Sequence, residues 1–459
     1  MSRWAKARGN GFIRTASLSS RPKRGAKYWL ESTQPETDYM HYLFRYPAKF
    51  HRPIVRWALS TEPDKKVLVF DPFSGSGTSN VEALVDGRSS LGLDIDPLAC
   101  FIARVKTRPL NPDALARHLD RIQQRLAKVS RRQVELEKLI GGDISESRYL
   151  KESKDLWIPP IPNIAHWFRR HVIVDLSRLV QVLREFPTSD TEREFYLACV
   201  AAIIRRVSNA DPVPVSGLEV TSIQAERNKQ REINVQEEFL HKARTVIHGM
   251  RELWDVSRRK HPAPTAIIEC GDARNMEEVL VHEAAHLMPF SFVVTSPPYF
   301  SAVEYSRRHK LEMFWLGLVP DSYSHRRMAW DYLGAKQFGK RTAGLRDFGI
   351  TKLDRLLTRI ADIDLPRAYS LERYFAGMER FFCELSRITS KRANVICVIG
   401  DSTCAGMKVS TADLIAEIAS DHYTLRRHFS YAIRNHYMQY GLRNGKGIRQ
   451  EMVLMFERL

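Results

Sequence analysis

Three things are scarce in this chain of 459 residues: acid, cysteine and long apolar runs. Its 53 Asp and Glu face 71 Lys and Arg, a formal net charge of +18. The six cysteines (Cys100, Cys199, Cys270, Cys383, Cys397 and Cys404) are scattered, with no Cys-x-x-Cys pair. That excludes a small disulfide scaffold, speaks against a zinc cluster and fits a reducing compartment. The longest clean apolar run, residues 196–204, is far too short to cross a bilayer. No charged-then-apolar leader opens the sequence, so export is not expected. No Gly-Lys-Ser or Gly-Lys-Thr follows a glycine-rich turn, which excludes a phosphate-gripping P-loop. The apolar fraction of 44% and charged fraction of 27% are ordinary for a globular protein.

Excess Lys and Arg predict a polyanionic partner, most commonly nucleic acid, because phosphate contacts release condensed counterions. A basic protein that simply stays dispersed is the other reading. Residues 1–28 carry eight Lys or Arg and no acid, and read as a mobile basic arm extending over 1–40. From Lys65 the pattern alternates. KVLVFD is a strand, DPFSGSGT a turn, SNVEALVDG a helix stopped by Gly87, SSLGLDID a strand and PLACFIARVKT a helix. This is the opening of a parallel α/β sheet. Residues 111–261 then read as helical, with Phe239, Leu240, Ala243, Val246, Ile247 and Met250 on one stripe. Strand signals return at TAIIECGDARN, FSFVVTSPPYF and NVICVIGDS, and the chain closes on TLRRHFSYAI and QEMVLMFERL. A basic irregular stretch falls at 319–365. The reading is one α/β domain, 41–110 and 262–459, interrupted by a helical insertion at 111–261.

Two turns carry chemistry. In DPFSGSGT (71–78) the glycines let backbone approach a ligand, and the next helix offers free N–H groups. The following strand ends at Asp94, placed to accept both hydroxyls of a ribose. In TSPPY (295–299) two prolines remove two N–H donors and leave a stiff turn of carbonyl oxygens beside one hydroxyl and one aromatic ring. Such a turn can accept hydrogen bonds from an NH2 group and stack a flat ring.

DPFSGSGT followed by TSPPY resembles the S-adenosylmethionine-dependent DNA amino-methyltransferases, which methylate N4 of cytosine or N6 of adenine. HYLFRYPAKFHRPIV, ECGDARN and VEYSRRHKLEMFWLG resemble further segments of that family. The resemblance implies a Rossmann-like class I methyltransferase sheet with a large helical insertion. It implies that Asp71, Phe73, Gly75, Ser76, Gly77 and Thr78 hold S-adenosylmethionine, Asp71 near the methionine amino group. Asp94 would hold the ribose, Asp272 and Ala273 the adenine, and Tyr46 and Lys49 the methionine end. Ser296, Pro297, Pro298 and Tyr299 would form the target-base pocket. Double-stranded DNA is the implied partner, with a cognate restriction endonuclease or another defence protein beside it, in a bacterial or archaeal cytoplasm.

The implied chemistry is positional. An exocyclic base amine is a poor nucleophile because its lone pair is delocalised. Hydrogen bonds to the Ser296 hydroxyl and the Pro297 carbonyl favour a pyramidal nitrogen, and such positioning is worth up to about 7–11 kcal/mol. The base must leave the duplex, at a cost of a few kcal/mol that stacking on Tyr299 offsets. Ring-carbon methylation needs a cysteine nucleophile, and no Pro-Cys occurs in the chain. Serine at 296 goes mainly with cytosine N4 in the resembled family and aspartate with adenine N6. Adenine N6, an RNA base amine and an inactive DNA-binding protein are the alternatives. The insertion precedes GDAR rather than following it, so DNA contact is expected either there or at Arg326, Arg327, Lys336, Lys340 and Arg341. No metal site is expected.

Overall fold

A computed structural model describes every residue except 1–11, 16, 31–37, 130–137, 139–144, 146–147, 149–155, 212–217, 261, 301–303, 335–343 and 434–449. Lys336, Lys340 and Arg341 therefore lie outside the described residues. The strands are β1 (Phe12–Thr15), β2 (Lys27–Leu30), β3 (Val69–Asp71), β4 (Ser90–Asp94), β5 (Ala266–Cys270), β6 (Phe290–Thr295), β7 (Thr389–Gly400), β8 (Ser402–Cys404), β9 (Met407–Val409), β10 (Tyr423–Ala432) and β11 (Gln450–Arg458). Nine form one sheet in the order β1-β2-β10-β11-β7-β6-β3-β4-β5, and β8 and β9 pair separately. β5, β4, β3, β6 and β7 run parallel, while β11 is antiparallel to both its neighbours.

Alternation decides which face each residue covers. Val69, Phe292, Val294, Ile396, Val398 and Val453 pack with α1 (Arg52–Ser60) on one face. Phe70, Val293, Val395, Cys397, Ile399 and Leu454 pack on the other against residues 353–388. Both faces of the central strands are buried, as a parallel sheet requires.

Two helices leave the sheet beside the glycine-rich turn: α2 (Thr78–Asp86), stopped by Gly87 in the left-handed region, and α3 (Pro97–Thr107). Asp96 caps α3 by accepting from the Leu98 and Ala99 N–H groups, with Pro97 in the first turn. The helices of the insertion include α4 (Pro112–Val129), α5 (Arg170–Glu185), α6 (Asp190–Val207) and α7 (Val235–Arg258). The expected stripe on α7 is buried throughout. These helices share one core with Leu98, Phe101, Ile102 and Val105 of α3 and with Leu311–Trp315 of α8 (Lys310–Leu316). The insertion is thus joined to α3 and α8 by a continuous apolar core. Beyond it come α9 (Ser322–Asp331), α10 (Leu365–Ile388) and α11 (Thr411–Ala419).

The basic N-terminal arm reads differently in the structure. β2 pairs parallel with β10, and Tyr28 and Leu30 are buried against Phe429 and Trp57. This short element was hidden among lysines and arginines because its pairing partner lies 400 residues away.

The segment before β3 is tied down by charge. Glu82 on α2 is almost fully buried and faces His41 Nε2 at 2.9 Å, Arg52 Nε at 2.7 Å and Arg56 Nε at 2.7 Å. Burial pushes the Glu82 carboxyl up, but His41 and the two arginines outweigh it and hold the group down at about 2. Burial pushes His41 down to about 3. Glu82→Ala should cost about 3 kcal/mol at pH 7, the low end for breaking a buried pair because Arg56 is 34% exposed. A carboxyl depressed by folding stabilises above its unfolded value and loses that contribution as pH falls toward its folded one. The wild-type advantage over the variant should therefore shrink between about pH 4.5 and pH 2, measured by urea denaturation at a series of pH values.

Candidate active site

The chain runs from β3 outward to β4 and β5, then returns to the other side of β3 for β6 and β7. The carboxyl ends of β3 and β6 therefore diverge at a topological switch point, where open α/β sheets bind ligands. DPFSGSGT leaves β3 there and SPPY leaves β6. Thr295 Oγ1 donates to Asp71 Oδ1 at 2.7 Å between the two strand ends.

A cleft of about 850 Å³, open solvent included, lies over this point. Of the residues singled out from the sequence, Tyr46, Lys49, Asp71, Phe73, Gly75, Ser76, Thr78, Asp94, Asp272, Ala273, Ser296 and Pro298 line it. Gly77, Pro297 and Tyr299 do not. Gly77 serves the backbone instead. Its φ is +75°, and a Cβ there would stand 2.9 Å from the Ala103 Cβ of α3. Pro297 is buried behind the turn. The Tyr299 hydroxyl donates to Glu451 Oε1 of β11 at 2.7 Å.

The polar groups of the cleft are held from beneath. Asp94 Oδ2 accepts from the Gly75 N–H at 2.8 Å and Oδ1 from the Asp96 N–H at 2.9 Å. Burial, then the neighbouring charge of Asp96, pushes the Asp94 carboxyl up to about 7. Burial likewise lifts Asp71 to about 6, although Ser79, Thr295 and the Phe73 N–H oppose it. Asp272 is engaged by Arg274, whose Nε lies 2.9 Å from Oδ1. Ser296 Oγ donates to the Val398 carbonyl of β7 at 3.1 Å, so its lone pairs can accept from a ligand. Tyr46 stacks on Tyr305 at 5.7 Å, and Lys49 Nζ donates to the His41 carbonyl at 2.6 Å.

Several residues of the site were missed in the sequence. Arg274, Tyr305, Asp331, Tyr332 and Leu333 also line the cleft. Arg274 stands directly after the GDA of the quoted ECGDARN, and Tyr305 lies within the quoted VEYSRRHK. Lys106 of α3 is completely buried beneath the glycine-rich turn and donates to the Ser76 carbonyl at 2.6 Å. Nothing in its sequence setting distinguishes it from a surface lysine. Gly334, with φ +79°, places its backbone against the Tyr299 carbonyl, where a Cβ would approach to 3.1 Å. The 331–334 segment therefore roofs the SPPY turn.

The cleft suits a cationic nucleoside. Its carboxyl groups Asp71, Asp94, Asp272 and Asp331 outnumber Lys49 and Arg274. The Ser74 and Ser76 hydroxyls, also on its wall, are buried without a partner among the described residues. Such orphaned groups are costly unless a ligand meets them.

No family model matches the chain. It is 24% identical over 384 residues to the Type II methyltransferase M.MvaI of Kocuria varians, across 81% of this chain and 79% of the relative. It is 22% identical over 263 residues to the Type II methyltransferase M.BsoBI of Geobacillus stearothermophilus, across 54% and 47%. A shorter stretch of 77 residues is 36% identical to the Type II methyltransferase M.MjaII of Methanocaldococcus jannaschii, across 17% and 14%. Among solved structures, the rRNA methyltransferase aviRa of Streptomyces viridochromogenes covers 91% of this chain and 89% of its own, at 11% identity and a TM-score of 0.30. The chain is a methyltransferase with a Rossmann-like sheet, and S-adenosylmethionine is its methyl donor. Among the described residues no cluster of metal-ligating side chains occurs, and no helix is long and apolar enough to cross a membrane.

Gly77→Ala should lower stability by about 1–3 kcal/mol, since it combines left-handed strain with overpacking against Ala103. Thermal and urea denaturation of the two proteins measures this directly.

Proposed function

We propose that the protein methylates the exocyclic N4 amine of a cytosine extruded from double-stranded DNA. The observation that carries this reading is the convergence of Ser296 and Pro298 with the glycine-rich turn on one cleft at the switch point. The +18 net charge and the Type II methyltransferase relatives support DNA as the substrate.

Asp94 and the loop amides would hold the nucleoside part of the donor, and Asp71, with Lys49 near it, the amino-acid part. When bound, the donor supplies an electrophilic methyl group on a sulfonium centre. Ser296 orients the base amine. With its own hydrogen given to Val398, its oxygen accepts an N–H and draws the nitrogen toward a pyramidal shape. Pro298 forms the cleft wall beside it. Serine rather than aspartate at 296 supports cytosine N4 over adenine N6. A restriction endonuclease of matching specificity is the partner this role implies.

DNA contact is assigned to α9. Tyr323, Arg326, Arg327 and Trp330 are all exposed and fall on one face at helical spacing. The helix ends at Asp331, where the cleft wall begins. Cations beside aromatic rings suit a nucleic-acid backbone and unstacked bases.

Modification-sensitive sequencing of DNA from cells expressing the protein tests the reading, because it reports base, atom and context together. Methylated adenine, or label confined to RNA, would select an alternative. Ser296→Ala should slow single-turnover methyl transfer about 10²-fold through lost positioning, with cofactor affinity nearly unchanged. Asp94→Ala should weaken cofactor affinity first. Isothermal titration and rapid-quench kinetics separate the two. Arg326→Ala with Arg327→Ala should flatten the dependence of log affinity on log salt by about 2, if each arginine meets one phosphate. Fluorescence anisotropy across a salt series measures that slope.

A further inference from the structure

We infer that Asp96 and His309 form a buried strut that positions the Tyr46–Tyr305 ring pair against the glycine-rich turn and so sets donor affinity, a reading that rests on the donor lying in this cleft and not on which base is methylated. Both are positioning residues, since the two tyrosines line the cleft and Asp96 and His309 do not.

Asp96 divides its two oxygens. Oδ1 caps α3, accepting the Leu98 N–H at 2.8 Å and the Ala99 N–H at 3.1 Å. A cap needs only one oxygen, and serine, threonine or asparagine would serve. Oδ2 faces two side chains from distant parts of the chain, His309 Nδ1 at 3.2 Å and the Tyr46 hydroxyl at 3.4 Å. Asp96 and His309 are 1% and 2% exposed, so solvent does not compete for this joint. A carboxylate only accepts, which places the His309 hydrogen on Nδ1. Burial, then the charge of Asp96, pushes the Tyr46 phenol well up, so its hydroxyl keeps its hydrogen and donates.

The rings are arranged around this joint. The His309 ring lies 4.8 Å from the Tyr46 ring, and Phe44 meets it edge-on at 5.9 Å. Tyr305 opens the short helix Tyr305–Arg308, which His309 ends, and it stacks on Tyr46 at 5.7 Å with 21° between the planes. The Tyr46 ring stands over Gly75, 3.6 Å from where a Cβ would lie. The Asp96 N–H donates to Asp94 Oδ1 at 2.9 Å. One residue thus ties together the segment before β3, the end of β4 and the chain that follows the diproline turn.

Packing alone does not call for this arrangement. Apolar side chains would join the same segments without the cost of burying a carboxylate and an imidazole. His309 Nε2 is buried without a partner among the described residues, a cost the fold bears to keep a polar ring at this position. Ring contacts are only weakly directional, whereas a hydrogen bond at the hydroxyl fixes the Tyr46 ring in one place. Electron-rich faces beside the acids of the cleft suit a cationic ligand.

Isothermal titration of the full chain with S-adenosylmethionine, beside thermal denaturation of each variant, tests this. His309→Leu removes the polar contact at similar volume and should weaken binding about tenfold, the value of one hydrogen bond to a charged group. His309→Asn keeps a donor near the Nδ1 position and should bind within about threefold of wild type. Tyr46→Phe, which removes only the hydroxyl, should fall between the two. In a Tyr46→Leu background, His309→Leu should add less than about a twofold loss, because nothing is left to position. Wild-type affinity in His309→Leu overturns the proposal. So does an equal loss in the Tyr46→Leu background, or His309→Asn binding as weakly as His309→Leu, since His309 would then act through general packing. If His309→Leu does not fold, Tyr46→Phe decides, and wild-type affinity there overturns the strut. If Asp94→Ala and Tyr46→Leu both bind the donor as wild type does, the placing of the donor in this cleft is itself overturned.

Discussion

A buried hydrogen bond, 2.7 Å from Thr295 Oγ1 to Asp71 Oδ1, joins the last residues of two parallel strands. Everything above it depends on that joint. Parallel neighbours present both strand ends on the same edge, but their loops leave in different directions at a switch point. With the roots of the two loops pinned together, the glycine-rich turn and the diproline turn can each be stiff and still face one another. Asp71 accepts the Phe73 N–H as well, so one carboxylate organises the first turn and ties it to the second strand. Burial pushes its carboxyl up to about 6 despite these hydrogen bonds. A polar residue is kept in a costly place because it serves both loops.

The same tension runs through the cleft. Asp94 is lifted to about 7, and the Ser74 and Ser76 hydroxyls stand buried and unsatisfied among the described residues. In a site built only for stability these groups would be apolar or paired. A nucleoside bearing positive charge relieves all of them at once, by hydrogen bonding the hydroxyls and the carboxylate and by neutralising the acids. Beneath this acidic wall the turn is held by a buried donor. Lys106 supports the turn from below through the Ser76 carbonyl, and burial holds its ammonium well below the usual lysine range. The turn is therefore clamped by a group that never touches the cleft.

What could be read from the sequence follows the range of the interactions. Strand and helix limits around the glycine-rich turn were legible because alternation, Pro97 and Gly87 are local signals. Asp94 and Ser296 were legible because the turns that carry them have few chemical uses. β2 was not, since four residues with two buried positions leave no period to detect, and its pairing depends on β10. Glu451 was hidden for the same reason: it sits in an ordinary strand, and only sheet order brings it beside Tyr299. Gly77 illustrates a subtler case. The glycine was legible, but its use was not, because a loop glycine approaching a ligand and one approaching a helix look alike in one dimension.

The insertion also changes meaning once its core is visible. Read along the chain, residues 111–261 are a separate block placed before GDAR. In space their apolar stripes merge with α3, which packs against Gly77, and with α8, which follows the SPPY turn. A block joined in this way to elements behind both loops acts first as their buttress, whatever else it meets on its outer surface. The segment with direct access to the cleft is instead the one ending at Asp331, with Gly334 lying against Tyr299. Recognition of a nucleic acid is best placed where a contact can be transmitted to the reacting groups. On the proposed reading, a phosphate bound at Arg326 or Arg327 would bear on the segment that roofs the diproline turn, so binding and the positioning of the base would share one short piece of chain.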